Sequence, residues 1–334
     1  MLKLPAALPV AEAEALAAEI SAQPGVAYAE PDYMRQAISD TPIHVAAPLL
    51  APNDPQYANQ WHYKYAAGSS EGLNLPSAWD ITTGLSTTVV AVIDTGILPH
   101  TDLAGRTVPG YDFIADTFVA NDGNGRDNNP ADPGDWIVAN ECGGIHSAQD
   151  SSWHGTHVAG TIGAATNNGV GVSGVNWNAK ILPVRVLGKC GGYTSDIVDG
   201  MRWAAGLSVS GVPANANPAD VINMSLGGSG TCSAAEQNAI NAIVAAGTAV
   251  VVAAGNENAN ASGFSPANCS GVITVASNNR EGDRAYYSNY GATVEVTAPG
   301  GETFTASNGV LSTLDTGLTT PANSNSYAYY QGTS

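Results

Sequence analysis

The sequence predicts an α/β fold, a doubly wound and mostly parallel sheet with helices on both faces, preceded by part of a small α+β segment. Three observations carry this expectation. Five short apolar runs recur from about residue 86 onward, each closed by Gly, Asn or Asp. Their hydrophobicity is nearly unbroken rather than alternating, as parallel strands covered on both faces require. Helical stretches lie between them.

The runs are TTVVAVIDTG (87–96), AKILPVRVLG (179–188), ADVINMSLGG (219–228), GTAVVVAAGN (247–256) and GVITVASN (271–278). The helical stretches are 155–165, SDIVDGMRWAAG (195–206) and SAAEQNAINAIVAAG (233–247). In open sheets of this kind chemistry gathers beyond the carboxyl ends of the strands. That rule singles out Asp94, Gly191–Gly192–Tyr193, Ser225–Leu226–Gly227–Gly228 and Asn256.

The first 46 residues read differently. VAEAEALAAEI (10–20) is an Ala-rich helix with Leu16 and Ile20 four apart. GVAYAEPDY (25–33) alternates like a strand, with Val26 and Tyr28 on one face. The stretch 38–56, rich in Pro and small residues, reads as an exposed linker. The expected organisation is 1–46, a linker at 47–52, and a main domain over 53–334.

Composition bounds the function. With 44% hydrophobic residues among 334, the chain can bury a substantial core. The 29 Asp and Glu against 11 Lys and Arg give a net charge of −18, which opposes binding to nucleic acid or anionic membranes. The same acidity offers oxygen ligands to hard cations such as calcium. No apolar run reaches the ~18 residues of a membrane span. The opening MLKLPAALPVAEAEALAAEI is broken by Pro5, Pro9, Glu12 and Glu14 and does not read as a signal peptide. Cys142, Cys190, Cys232 and Cys269 form no C-x-x-C pair, so a thiolate zinc cluster is disfavoured and two disulfides in an oxidising compartment are expected.

Chemistry centres on SSWHGTHVAGTIGA (151–164). His154 and His157 are spaced H-x-x-H and lack the glutamate and i,i+4 spacing of zinc proteases. Asp94 by itself could be a helix cap, and a lone histidine is more often structural. The ordered set Asp94, His154, Asn256 and Ser334 changes that reading. A serine hydroxyl is a weak nucleophile until a histidine accepts its proton. A buried carboxylate fixes the histidine tautomer and stabilises the imidazolium. An amide such as Asn256 can donate to the developing oxyanion.

These motifs carry a resemblance. VIDTGI, HGTHVAGTI, SLGG, AAGN and QGTS, in this order over about 53–334, resemble the aspartate, histidine, substrate, oxyanion and serine motifs of subtilisin-like serine proteases, the subtilases. The resemblance implies a subtilisin-like fold and a secreted serine endopeptidase, acting as a monomer on protein and peptide substrates. Asp94 would be the orienting acid, His154 the base, Ser334 the nucleophile and Asn256 the oxyanion donor, with His157 structural. Residues 1–46 would be the end of an inhibitory propeptide that acts on its own enzyme. Substrate would add as a strand between Gly191–Gly192–Tyr193 and Ser225–Leu226–Gly227–Gly228. A pocket of Leu226, Ala253, Ala254 and Gly255, with Phe264 at its border, holds no charge and predicts an apolar residue before the scissile bond.

Calcium is the expected cofactor. Subtilases commonly hold it where the loop after the histidine helix meets an acidic residue, here Asp102 with Thr166, Asn168, Val170 and Val172. Separately, Asp122, Asn124, Asp127, Asp132 and Asp135 cluster in NDGNGRDNNPADPGDW, without the flanking helices or final glutamate of an EF-hand. Pairing Cys142 with Cys190 and Cys232 with Cys269 would brace loops around the cleft, but four cysteines allow three connectivities. In the family the serine opens a buried helix, and 334 residues that stop at Ser334 are expected to be poorly active alone. The rival reading is a catalytically dead, calcium-dependent peptide-binding protein. An esterase would want G-x-S-x-G directly after a strand, and no such nucleophile motif appears.

Overall fold

The computed structural model describes residues 8–26, 29, 50–64, 72–142, 147–323 and 325–334. The chain divides into two units, Met1–Pro48 and Leu49–Ser334. In the first, helix α1 spans Val10–Ser21, and the Ser21 hydroxyl and Ala29 backbone bond each other beyond its end. Most of the strand expected over 25–33, Tyr28 included, and of the linker over 38–56 lies outside the described residues.

The second unit runs α2 (Leu75–Trp79), β1 (Val89–Asp94), β2 (Tyr111–Asp112), α3 (Thr117–Ala120), α4 (His154–Gly163), β3 (Lys180–Arg185) and α5 (Thr194–Ala204). It continues β4 (Val221–Met224), β5 (Gly228–Ser229), α6 (Ala234–Ala245), β6 (Ala249–Ala253) and β7 (Phe264–Ser265). It ends β8 (Ile273–Asn278), β9 (Val296–Pro299), β10 (Val310–Leu314) and β11 (Ser326–Tyr330).

A parallel sheet has the order β2-β3-β1-β4-β6-β8-β9. The five apolar runs form its five inner strands. The outer strands β2 and β9 escaped the sequence reading for a physical reason. β2 is two residues long, and β9 is half exposed, so neither imposes an unbroken apolar run. The antiparallel hairpin of β10 and β11 was not anticipated either.

The sheet is covered on both faces. Ile93, Leu182, Val184, Ile222 and Val250 pack with Met201 and Trp203 of α5 and Ile240 and Ile243 of α6. Val92 and Ile181 pack with Val158 and Ala159 of α4. Small residues let α4 approach closely: a β-carbon at Gly160 would lie 2.2 Å from Thr313 Oγ1. A capping box starts α6, with the Ser233 hydroxyl and Glu236 carboxylate each accepting the other's backbone N–H.

The chain leaves β1, adds β3 on one side and β4 on the other. This reversal sets Asp94, the last residue of β1, at the switch point where a crevice opens. The disulfides are Cys142–Cys190 and Cys232–Cys269, which selects one of the three connectivities.

Candidate active site

Asp94 is wholly buried at the end of β1. Its carboxylate presents both oxygens to Nδ1 of His154, Oδ1 at 2.8 Å and Oδ2 at 2.9 Å. The Thr95 backbone N–H donates to Oδ1 at 2.7 Å, which satisfies a charge that would otherwise be costly to bury. Asp94 therefore orients a histidine rather than capping a helix.

His154 opens α4. The preceding Trp153 takes φ 51°, in the left-handed region, and its buried indole donates to the Gly317 carbonyl at 2.8 Å. Such a backbone persists only where packing over-determines it. Gly155 follows because the strand end presses on the helix: a β-carbon there would meet the Gly96 carbonyl at 2.1 Å. About a quarter of the His154 side chain reaches solvent. Burial works against its imidazolium, but the charge and hydrogen bond of Asp94, aided by Asp135 and Asp132, outweigh it and raise the His154 pKa above the ordinary value.

His157, one turn on, serves structure. Its Nε2 lies 3.0 Å from the Ala328 carbonyl, its ring stacks on Tyr330, and burial pushes its pKa down to about 4. His62, which the sequence reading did not single out, lines the same apolar cavity as His154 and His157, and neither of its ring nitrogens has a partner among the described residues.

Ser334 lies where two cavities meet, with Ser225, Ala253 and Thr333. One is the apolar cavity lined by His154, Val252, Ala276 and Tyr330. The other is lined by Ser225, Leu226, Gly227, Gly228, Ala253, Ala254, Gly255, Asn256 and Phe264, the residues expected to form a substrate pocket. It also holds Glu257, so the expectation of a charge-free pocket is corrected. The glutamate follows the AAGN run directly, a signal the sequence offered, and Asn289 donates to it at 2.7 Å. The Ser334 hydroxyl is 3.4 Å from the Ser225 carbonyl.

Asn256 is fixed by a residue not foreseen. Its amide oxygen accepts the Thr333 backbone N–H at 2.9 Å and the Thr333 hydroxyl at 3.1 Å, which turns Nδ2 to the opposite side. Gly191 lines a separate cavity with Thr95, Asp135 and the Cys142–Cys190 bridge, while Gly192 and Tyr193 are exposed.

The two calcium expectations fare differently. The 166–172 loop folds around the buried Asp102, which accepts from the Val172 N–H at 2.8 Å, the Asn168 amide at 3.3 Å and the Tyr327 hydroxyl at 3.0 Å. Asp102, Asn168 and Val172 are thus brought together, with the Asn168 amide nitrogen toward Asp102. Val170 donates to the Asn168 amide oxygen, and the Thr166 hydroxyl bonds Ala164 and Gly174. Asp122, Asn124, Asp127, Asp132 and Asp135 do not converge. Asp122 faces Arg185, Asn124 bonds Asp127, Asp132 takes Thr95, and Asp135 takes Ser152. These separate partners hold the carboxylates apart, and among the described residues no three acidic, His or Cys side chains form a metal cluster. Burial pushes the pKa of Asp132 up to about 7, against the pull of its bonds to Thr95 and Gly134.

The profile of the Subtilase family matches residues 86–334. An "Extracellular protease" of Xanthomonas campestris pv. campestris is 52% identical over 328 residues, 98% of this chain and 53% of that protein. An "Extracellular basic protease" of Dichelobacter nodosus is 47% identical over 97% of this chain and 50% of its own length. The chain thus spans about half the length of these curated relatives. A solved structure described as proteases from Pseudoalteromonas arctica superposes with a TM-score of 0.81 at 61% identity, covering 84% of this chain and 82% of that one.

Proposed function

The chain belongs to the subtilase family of serine proteases, and from that premise we propose that it is a serine endopeptidase working through Asp94, His154 and Ser334. The observation that carries this reading is the buried Asp94 carboxylate at 2.8 Å from His154 Nδ1, on the rim of a cavity that Ser334 also lines.

In this mechanism Asp94 holds the proton on Nδ1, which leaves Nε2 as the base. Nε2 takes the Ser334 hydroxyl proton as Oγ attacks the peptide carbonyl. The Asn256 Nδ2–H donates to the oxyanion, with its oxygen already held by Thr333. The imidazolium then returns the proton to the leaving amine, and water releases the acyl group by the same path in reverse. The peptide lies against Gly191–Tyr193 and Ser225–Gly228, its side chain before the scissile bond in the pocket of Leu226, Ala253, Ala254 and Phe264. That lining supports an apolar preference, with Glu257 at one wall.

The rest of the reading follows the family. Residues 1–46 are the end of an inhibitory propeptide, and two disulfides together with relatives named extracellular support secretion. No helix among the described residues is long and apolar enough to cross a membrane. Asp102, Asn168 and the carbonyls of Thr166, Val170 and Val172 would hold a calcium that ties the loop after α4 to the segment after β1.

A fluorophosphonate probe on the full-length protein, with the label mapped by mass spectrometry, tests this. Label on Ser334 that is lost in Ser334→Ala and His154→Ala is expected. A folded protein that takes no label would contradict the protease reading and favour a peptide-binding one.

A further inference from the structure

The segment 130–135 is linked to both halves of the Asp94–His154 pair, through Thr95 and through Ser152. Asp132 is only 2% exposed. Its Oδ2 accepts the Thr95 hydroxyl at 2.7 Å, and its Oδ1 accepts the Gly134 N–H at 2.9 Å. Its backbone N–H donates to the Ile97 carbonyl, and the Ile97 N–H to the Pro130 carbonyl, so the segment is laced to the chain just past Asp94. Three residues on, Asp135 accepts the Ser152 N–H at 2.6 Å and the Ser152 hydroxyl at 2.7 Å. The Ser152 oxygen in turn accepts the backbone N–H of His154 at 3.3 Å.

Thr95 is the junction. A hydroxyl has one proton to give, and its direction is set by whichever acceptor takes it. Asp132 takes it. The lone pairs of Thr95 Oγ1 are then left for the Gly155 N–H, which donates at 3.0 Å from the first turn of α4. The backbone N–H of the same Thr95 holds Asp94 Oδ1. One residue thus bonds the acid directly and the base's helix through its side chain, and Asp132 fixes the sense of that bond.

We propose that Asp132 is a positioning residue for the Asp94–His154 pair, acting through the Thr95 hydroxyl to lock the end of β1 to the start of α4. It touches neither substrate nor the reacting atoms, and the proposal rests on the protease reading above. Misplacing catalytic groups by about 1 Å can cost on the order of 100-fold in rate. A role of this kind therefore appears in kcat and leaves KM alone.

The test uses the full-length protein and a chromogenic peptide anilide, with kcat and KM measured for Asp132→Ala, Asp132→Asn, Thr95→Val and Thr95→Ser. Thermal midpoints establish that each variant is folded. Asp132→Ala and Thr95→Val should lose roughly 10- to 100-fold in kcat with KM within about twofold. Asp132→Asn, whose amide oxygen still accepts from Thr95, and Thr95→Ser, which keeps the hydroxyl, should recover most of kcat. The low-field proton resonance of the Asp94–His154 hydrogen bond should shift or broaden in Thr95→Val. Folded Asp132→Ala and Thr95→Val enzymes with unchanged kcat, or with a raised KM alone, overturn the proposal. If Asp132→Ala does not fold, Thr95→Val decides. A wild-type protein that neither cleaves peptides nor takes a fluorophosphonate label instead overturns the protease reading on which the proposal depends.

Discussion

Thr333 grips the amide oxygen of Asn256 with both its backbone N–H, at 2.9 Å, and its hydroxyl, at 3.1 Å. The residue next to Ser334, the proposed nucleophile, thereby aims the amide proposed to serve the oxyanion. Asn256→Ala should lower kcat by about 10²- to 10³-fold, a range that comes from subtilisin, a member of this family. Thr333→Val removes one of the two bonds and should cost less, with KM unchanged in both. Steady-state kinetics on a peptide anilide checks both.

The pH profile follows from His154. Its pKa is raised because Asp94, with Asp135 and Asp132 behind it, outweighs burial. The base form is populated only above that raised value, so kcat/KM should fall on the acid side with a midpoint above the ordinary ~6.5. Asp135→Asn should move this limb to lower pH. The stability sign is opposite. A raised folded-state pKa means this pair stabilises the fold fully below about 6.5 and loses that contribution as pH climbs through the raised value. An acid limb in wild type lying below 6 contradicts the assignment.

The Cys142–Cys190 bridge joins the loop before His154 to the residue before Gly191. Replacing both cysteines by serine should raise KM for extended peptides more than it lowers kcat, because the proposed substrate edge loosens. Loss of a bridge closing a long loop should cost about 2–4 kcal/mol of stability. Peptides of increasing length, assayed alongside thermal melts, read both effects.

Gly160→Ala should destabilise by about 1–3 kcal/mol, because the new methyl meets Thr313 Oγ1 at 2.2 Å and Ser312 Oγ at 2.5 Å. The thermal midpoint should fall by several degrees. An unchanged midpoint would mean that α4 and β10 pack less tightly than described.

Glu257 gives the pocket a polar wall. Glu257→Gln should lower kcat/KM for a lysine before the scissile bond by about two- to fivefold, as expected for a screened surface charge, and leave phenylalanine substrates little changed. Equal effects on both substrates would remove Glu257 from specificity.

Much of this protein was legible as a string. The inner strands β1, β3, β4, β6 and β8 were, because burial on both faces leaves an unbroken apolar run. Asp94, Asn256 and the 225–228 edge were singled out because each follows the end of a run, and His154 because of its motif and the ordered set; the structure sets Asp94 against His154 and lines one pocket with Asn256 and 225–228. Other features needed the third dimension. β2 and β9 lie at the edges, where little apolar surface is buried and no pattern is imposed.

What the sequence by itself determined was the order of the five inner strands and the three helices between them, and which residue types at their ends could carry chemistry. Local hydrophobic periodicity and residue type are enough for that. Only the tertiary structure decided which carboxylate serves which partner. Asp122, Asp127, Asp132 and Asp135 look equivalent in one acidic stretch, yet Asp132 is buried under Thr95 and Asp135 holds Ser152. The choice depends on donors 37 and 17 residues away, brought near by the packing of β1 against α4. Hydrogen bonds between residues so far apart leave no periodic trace in the chain.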